Sequence, residues 1–317
     1  MNNLKKGNFL SIVIPVYNSN KTINILVERI REVLSNKLIF EVVLVNDGSK
    51  DDSYEKCREL ARKYSFIKFI NLSKNFGQHN AILAGLHFVK GNYIVFMDDD
   101  LQIPPEEIPK LINKIEEGYD VVYANYHYKY HSRLRNIGSW INDIMSYILL
   151  KKPKKLKITS FFIIKKYLID EILNYTGPYP YLGGLILRST DNIGMIDITH
   201  EKREYGESNY SFMSLLRLWI NGFTNFSVKP LRVSFFLGIL FSSIGFLFSF
   251  FILIRKLIDP QVALGWTSII IAILLFSGVQ LISIGLIGEY VGRIFLTQNK
   301  QPQYIIKEKY NIDSDRD

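Results

Sequence analysis

The sequence predicts an α/β fold, a doubly wound and mostly parallel sheet, followed by an interfacial amphipathic helix and a hairpin of two transmembrane helices. Three observations predict it. Short β-branched or aromatic runs alternate with amphipathic stretches over residues 9–124, and acidic and turn-forming residues fall directly after those runs. Two long uncharged runs then follow, 233–254 with 22 residues and 260–288 with 29.

Taken in order, strands are expected at 9–16, 41–46, 66–71, 92–97 and 120–124, and helices at 21–34, 51–64, 78–89 and 104–117. The last helix opens on Pro104 with Glu106 and Glu107 behind it. These residue types suit a first turn, where backbone N–H groups lack partners and the dipole favours negative charge. Alternation of strand and helix implies crossover connections, hence a parallel sheet with helices on both faces. Ligands of such sheets bind beyond the carboxyl ends of the strands.

Residues 211–226 place Ser214, Arg217, Asn221 and Thr224 on one helical stripe and Phe212, Leu215, Leu216, Trp219, Ile220 and Phe223 on the other. This fits a helix lying in the membrane interface, and equally an amphipathic core helix. Each uncharged run exceeds the ~20 residues that span a hydrocarbon core of ~30 Å. Spans are expected at about 233–256 and 263–288. The division is then a globular domain over 1–210, the interfacial helix within 211–232, the hairpin over 233–292 and a tail over 293–317. Lys229, Arg232, Arg293, Lys300, Lys307 and Lys309 flank the hairpin on one side, against Arg255 and Lys256 on the other. Both termini are therefore expected in the cytoplasm, at the inner membrane. The polar residues 1–8 and the short run 9–16 are not expected to form a signal peptide.

Composition sharpens the class. With 317 residues and 48% hydrophobic content the chain can bury a sizeable core, which excludes disorder. Cys57 is the only cysteine, so there is no intrachain disulfide and no multi-cysteine zinc cluster, and the five histidines show no paired ligand spacing. The net charge is +9. Residues 125–166 hold ten basic residues and one acid, Asp143, so the excess is one patch between sheet and bilayer. That placement points to lipid phosphates and not to nucleic acid.

At the expected strand ends stand Pro15-Val16-Tyr17-Asn18, Asn46-Asp47-Gly48-Ser49 and Asp98-Asp99-Asp100-Leu101-Gln102. No G-x-G-x-x-G or G-x-x-x-x-G-K-[ST] follows a strand, which disfavours a dinucleotide cradle and a P-loop. Three successive aspartates resist ionising together unless something cationic neutralises them. Mg²⁺ or Mn²⁺, held by one or two carboxylates and completed by diphosphate oxygens and water, is the natural partner. Helix capping by Asp98 or Asp100 accounts for one carboxylate but not three. Asp47, before Gly48 and Ser49, fits a turn as well as a ligand contact.

These motifs, with Asn75-Phe76-Gly77-Gln78-His79 and Pro104-Pro105-Glu106-Glu107-Ile108-Pro109, resemble family 2 glycosyltransferases of the type A fold. Arg203-Glu204-Tyr205-Gly206-Glu207-Ser208-Asn209-Tyr210 and Gly285-Leu286-Ile287-Gly288-Glu289-Tyr290-Val291-Gly292-Arg293 narrow the resemblance to the polyprenyl-phosphate glycosyltransferases. These include dolichol-phosphate mannose synthases and bacterial undecaprenyl-phosphate glucosyl and formamido-arabinose transferases. The resemblance spans nearly the whole chain. It implies an enzyme that moves a sugar from a nucleotide-diphosphate sugar, UDP-sugars foremost, to a polyprenyl phosphate at the cytoplasmic membrane face.

Carried over residue by residue, the resemblance implies that Asp98 and Asp100, with Gln102 beside them, meet the metal and the sugar nucleotide. Asp47 would contact the base, Pro15 and Tyr17 would shape its pocket, and Arg203 and Ser208 would belong to a loop closing over the phosphates. Analogy also allows a homo-oligomer, a tetramer in similar proteins. The chain has Ser19 where the family often has Glu, Asn46 where it often has Asp, and Asn209 where it often has Lys. Thr159-Ser160-Phe161 stands where many bacterial members have Gly-Asp-Phe. The missing carboxylate is tolerable, because a phosphate monoester with a second ionisation near about 6 is already an anion. It needs positioning more than proton removal. Arg133, Arg135 and Ser160 are the candidates to hold it, although both arginines also suit contact with solvent or headgroups.

Other readings fit less well. A processive polysaccharide synthase would need a Q-x-x-R-W motif, and an aspartyl phosphatase would need Thr or Val where Gln102 stands. A membrane-tethered, non-catalytic nucleotide-sugar scaffold stays open, with intact Asp98 and Asp100 against it.

Overall fold

The computed structural model describes residues 9–126, 153, 156–177, 180–199, 201, 229–258, 265–299 and 302–312. One sheet of eight strands organises the globular part, in the order β7-β5-β6-β4-β1-β2-β3-β8. The strands are β1 Phe9–Val16, β2 Ile39–Asn46, β3 Ile67–Leu72, β4 Tyr93–Phe96, β5 Val121–Tyr126, β6 Phe162–Lys165, β7 Ile193–Ile198 and β8 Ile306–Tyr310. Between them run α1 Ile23–Leu34, α2 Ser53–Lys63, α3 Gln78–Leu86, α4 Ile108–Ile115, α5 Lys166–Leu173 and α6 Leu182–Ser189. A single 3₁₀ turn, Pro105–Glu107, leads into α4.

The first five strands and four helices lie where the sequence places them, because their patterns are unambiguous. β1 reads FLSIVIPV and is buried from Leu10 onward, as a central parallel strand covered on both faces must be. In α1 the buried positions Ile23, Leu26, Val27, Ile30 and Leu34 follow the helical period and form one apolar stripe. With α2 and α4 that stripe packs on the sheet face carrying Ile12, Ile14, Val42 and Leu44. α3 takes the opposite face. A Cβ at Gly85 would stand 2.9 Å from Val13 Cγ1 and 3.0 Å from Val45 Cγ2, so only glycine lets α3 come this close.

Two differences from expectation concern the sheet. The sheet is mostly parallel, as expected, but mixed: β4, β1, β2 and β3 pair in parallel, as do β5 and β7, while β6 runs antiparallel between β4 and β5. The second lies in 293–317, read from sequence as a tail. Here β8 pairs antiparallel with β3 and becomes an edge of the sheet.

Residues 220–300 form a second compact unit. It holds α7, Lys229–Ile258, and α8, Trp266–Gln298. They pack on each other, with Gly245 facing Phe276, and turn large apolar side chains such as Phe235, Phe246, Leu247 and Ile282 outward. Within α8, Phe276–Gln298 is long and apolar enough to cross a membrane. The amphipathic stretch 211–226 lies outside the described residues.

Candidate active site

The carboxyl ends of β1, β2 and β4 and the loop after β3 are stitched into one rim. Asp47, at the end of β2, is 2% exposed, and its two carboxylate oxygens accept the backbone N–H of Phe76 at 2.7 Å and of Gly77 at 2.9 Å. Burial pushes its pKa up, while those N–H groups pull it back. Next to it Gly48 has φ +66°, and a Cβ there would collide with the backbone of Lys74 and Asn75 at 2.5 Å. The Asp-Gly pair thus lets the loop before α3 cross directly over the end of β2. Asn18, itself at φ 55°, joins β1 to the same rim: its N–H donates to Ser49 Oγ at 3.0 Å and its Oδ1 accepts Lys50 N–H at 2.8 Å.

Three aspartates follow β4, and each has a different employment. Asp98 accepts a hydrogen bond from Gln78 Nε2 at 2.7 Å and from Ser160 Oγ at 2.5 Å. Asp99 Oδ2 accepts Tyr17 N–H at 3.1 Å and the Ser19 hydroxyl. Asp100 Oδ1 accepts Gln102 N–H at 3.1 Å across the turn at Leu101, φ 60°. Burial raises the pKa of Asp99 to about 7, the charges of Asp98 and Asp100 add to the rise, and the Ser19 and Tyr17 donors oppose it. The middle aspartate therefore tethers the β1 loop, and the outer two present charge at the strand end.

Of the residues singled out by sequence, Asp98, Asp100, Gln102, Pro15, Tyr17, Asp47 and Ser160 belong to this rim or border it. Asp47 is occupied in fastening the loop before α3. Arg133, Arg135, Arg203 and Ser208 lie outside the described residues. The structure adds Gln78, Ser19 and Asp99, and also Tyr126, whose hydroxyl is pushed up by burial and by the charge of Asp98. Three of the departures have partners here, while Asn209 lies outside the described residues. Ser160 donates to Asp98, where an aspartate would bring a second carboxylate against it. Ser19 donates to Asp99, and Asn46 Nδ2 donates to Asn71 Oδ1 at 2.8 Å in the buried layer below.

Among the described residues no group of three His, Cys, Asp or Glu side chains makes a ready-built metal cage. The donor set nonetheless suits Mg²⁺ or Mn²⁺, which take one or two carboxylates and fill their shells with phosphate oxygens and water. Asp98 and Asp100 are the pair that fits.

Comparison with known proteins agrees with this arrangement. The model of glycosyl transferase family 2 matches residues 11–173, which includes every rim residue from β1 to Ser160. The chain belongs to this family. As a family 2 glycosyltransferase it has relatives along its full length. The uncharacterised glycosyltransferase YkcC of Bacillus subtilis is 37% identical over 96% of this chain and 95% of its own. The undecaprenyl-phosphate 4-deoxy-4-formamido-L-arabinose transferases of Proteus mirabilis and Yersinia enterocolitica are 32% and 33% identical, over 98% and 97% of this chain and 97% and 95% of theirs. Among solved structures, Mycobacterium tuberculosis glucosyl-3-phosphoglycerate synthase in complex with Mn²⁺, UDP and phosphoglyceric acid has a TM-score of 0.53 at 18% identity, over 68% of this chain and 76% of its own. It shares the type A fold with this glycosyltransferase.

His79, the second residue of α3, sits beside this rim with its ring edge-on to Tyr181, centroids 5.6 Å apart. Its Nδ1 is buried without a hydrogen-bond partner, and burial lowers its pKa to about 4. A folded-state value below the ordinary one means that the neutral ring contributes fully above pH ~6.5 and that stability is lost as the pH falls toward 4. The loss amounts to about 3 kcal/mol across that window. Thermal unfolding from pH 7 to 4 is expected to fall more steeply for the wild type than for His79→Leu. Parallel curves would exclude His79 as the cause.

Proposed function

We propose that this glycosyltransferase moves a sugar from a nucleotide-diphosphate sugar, UDP-linked first among them, to a polyprenyl phosphate of the undecaprenyl type at the cytoplasmic membrane face. The observation that carries the reading is the end-to-end match to undecaprenyl-phosphate sugar transferases, apolar helices included. α7 and α8 serve as the two membrane spans, and both termini stay on the cytoplasmic side. The basic composition of 125–166, most of whose basic residues lie outside the described residues, suits lipid phosphates.

The chemistry is one displacement. A phosphate oxygen of the acceptor attacks the anomeric carbon as the bond from that carbon to the nucleotide diphosphate breaks. In-line attack inverts the configuration, and the nucleotide diphosphate leaves with the bonding pair. The acceptor is already anionic, so no residue has to remove a proton. Ser160 fits this requirement, since it orients Asp98 and does not act as a base. A divalent cation, when bound at Asp98 and Asp100, supplies charge compensation for the diphosphate. Tyr17, tethered by Asp99, and Pro15 line the nucleotide side, next to Asp47. Arg133 and Arg135 are assigned to the acceptor phosphate, and Arg203 and Ser208 to the loop over the phosphates.

The test is direct. Membranes containing the protein, given undecaprenyl phosphate, a divalent cation and labelled UDP- and dTDP-sugars, are expected to yield a chloroform-soluble labelled lipid with at least one donor. A complete panel without such a product overturns the reading.

A further inference from the structure

The stretch 303–305, just after α8, touches both loops that lead into the rim. Gln303 Nε2 donates to two carbonyls at once, Tyr175 O at 3.1 Å and Gly177 O at 2.6 Å. Two carbonyl acceptors demand the amide nitrogen, so the orientation of this side chain is fixed by chemistry. Tyr181, four positions after Gly177, accepts at its carbonyl the N–H groups of Gly184 and Leu185 in the first turn of α6, both at 3.0 Å. Tyr181 in turn stands against His79, the neighbour of Gln78, which holds Asp98. Two residues on, Ile305 O accepts Ser73 N–H at 2.9 Å. Ser73 opens the loop whose other end is fastened to Asp47 through Phe76 and Gly77.

The rest of the segment is anchored well beyond what a solvated tail requires. Tyr54 donates its hydroxyl hydrogen to Glu308 Oε2 at 2.6 Å. Tyr310 stacks on Phe69 at 5.8 Å between centroids and receives the Arg58 guanidinium over its ring at 5.7 Å. Asn311, at φ 53°, sends its amide to the carbonyls of Ala61 and Ile67, closing the strand against the end of α2.

We propose that Gln303 is a positioning residue for glycosyl transfer: the segment after α8 clamps the turn at 175–177 and the loop at 73–77, and so sets Tyr181, Gln78 and Asp98 for the donor. This rests on the transfer reaction proposed above for its kinetic arm, but its structural arm stands apart from it. Gln303→Glu keeps the size of the side chain and replaces the two donated hydrogens with a carboxylate facing two carbonyls. Tyr54→Phe loosens the far end of the same strand and touches neither loop.

Two measurements on full-length protein in detergent test the clamp. Hydrogen exchange of peptides covering 174–189 and 73–81 is expected to quicken about tenfold in Gln303→Glu and to stay unchanged in Tyr54→Phe, the size of effect that one or two lost hydrogen bonds produce. Turnover is expected to fall about tenfold in Gln303→Glu with the KM for the polyprenyl phosphate held, and to stay near wild type in Tyr54→Phe. Unchanged exchange in Gln303→Glu overturns the clamp, as does an equal loss of turnover in both variants. If the wild type makes no lipid-linked sugar, the transfer reading has failed and the exchange result alone decides the clamp.

Discussion

Asp100→Asn is expected to lower kcat by about a thousandfold or more while the protein still folds and enters membranes. The asparagine keeps an oxygen for Gln102 N–H, so the turn at Leu101 survives and only the charge is lost. Asp100→Ala removes both, and should match Asp100→Asn in activity but fall below it in thermal stability. The ranking separates the turn that this carboxylate holds from the charge that the proposed mechanism asks of it. Treatment with EDTA should reproduce the loss in the wild type, and added Mn²⁺ or Mg²⁺ should reverse it there but not in the variants. The measurement is formation of labelled lipid per milligram of membrane-inserted protein. Activity within tenfold of wild type in Asp100→Asn, or full activity in EDTA, would refute the assignment of the metal to Asp98 and Asp100. Removing the charge of Asp100 also relieves Asp99 of one like-charged neighbour, so the pKa of Asp99 should move down from about 7.

The parts of the fold that were legible in sequence are those whose burial leaves one interpretation. β1, β2 and β3 are predominantly apolar because helices cover both faces, with Ser11, Glu41 and Lys68 as buried polar exceptions near their amino ends, and α1 and α4 carry stripes at helical spacing. β6 escaped because it has four residues and runs into α5 at Lys166 with no breaker between them. β8, with the sequence IKEKY, reads as a solvated charged tail. An edge strand with Lys307 and Lys309 on its exposed face has that composition, and lysines on an edge discourage pairing with other chains. The site divides in the same way. Asp98, Asp100 and Gln102 are adjacent in sequence, so their grouping is legible in one motif. Tyr17 meets Asp99 across 82 positions and Gln303 meets Tyr175 across 128, and pairings of that separation leave no periodic trace.

Lys68→Met is expected to be the most destabilising single change at the opposite end of the sheet, by about 3–5 kcal/mol. There Glu41 Oε1 accepts the Ser11 hydroxyl and the Lys90 N–H, each at 2.6 Å, and Oε2 pairs with Lys68 Nζ at 2.7 Å. Lys68 Nζ also donates to Phe88 O at 2.7 Å, and Ser11 Oγ accepts Gly91 N–H at 2.8 Å. The two charged side chains are only 9% and 6% exposed. In such a setting the net worth of the pair is small but the cost of breaking it is large, since methionine leaves a buried carboxylate with no counter-charge. The double variant Glu41→Gln with Lys68→Met should therefore lose less than the sum of the single changes, because the glutamine carbonyl can still accept from Ser11 and Lys90 without burying a charge. Thermal unfolding in detergent of the four proteins reads the coupling directly. Additive losses would mean that water reaches the pair and screens it. Because this network lies at the amino ends of β1 and β4, turnover per folded molecule at low temperature should stay at the wild-type value in Lys68→Met. The sheet thus carries a buried ion pair at one end and the acidic rim, where ligands of such sheets bind, at the other.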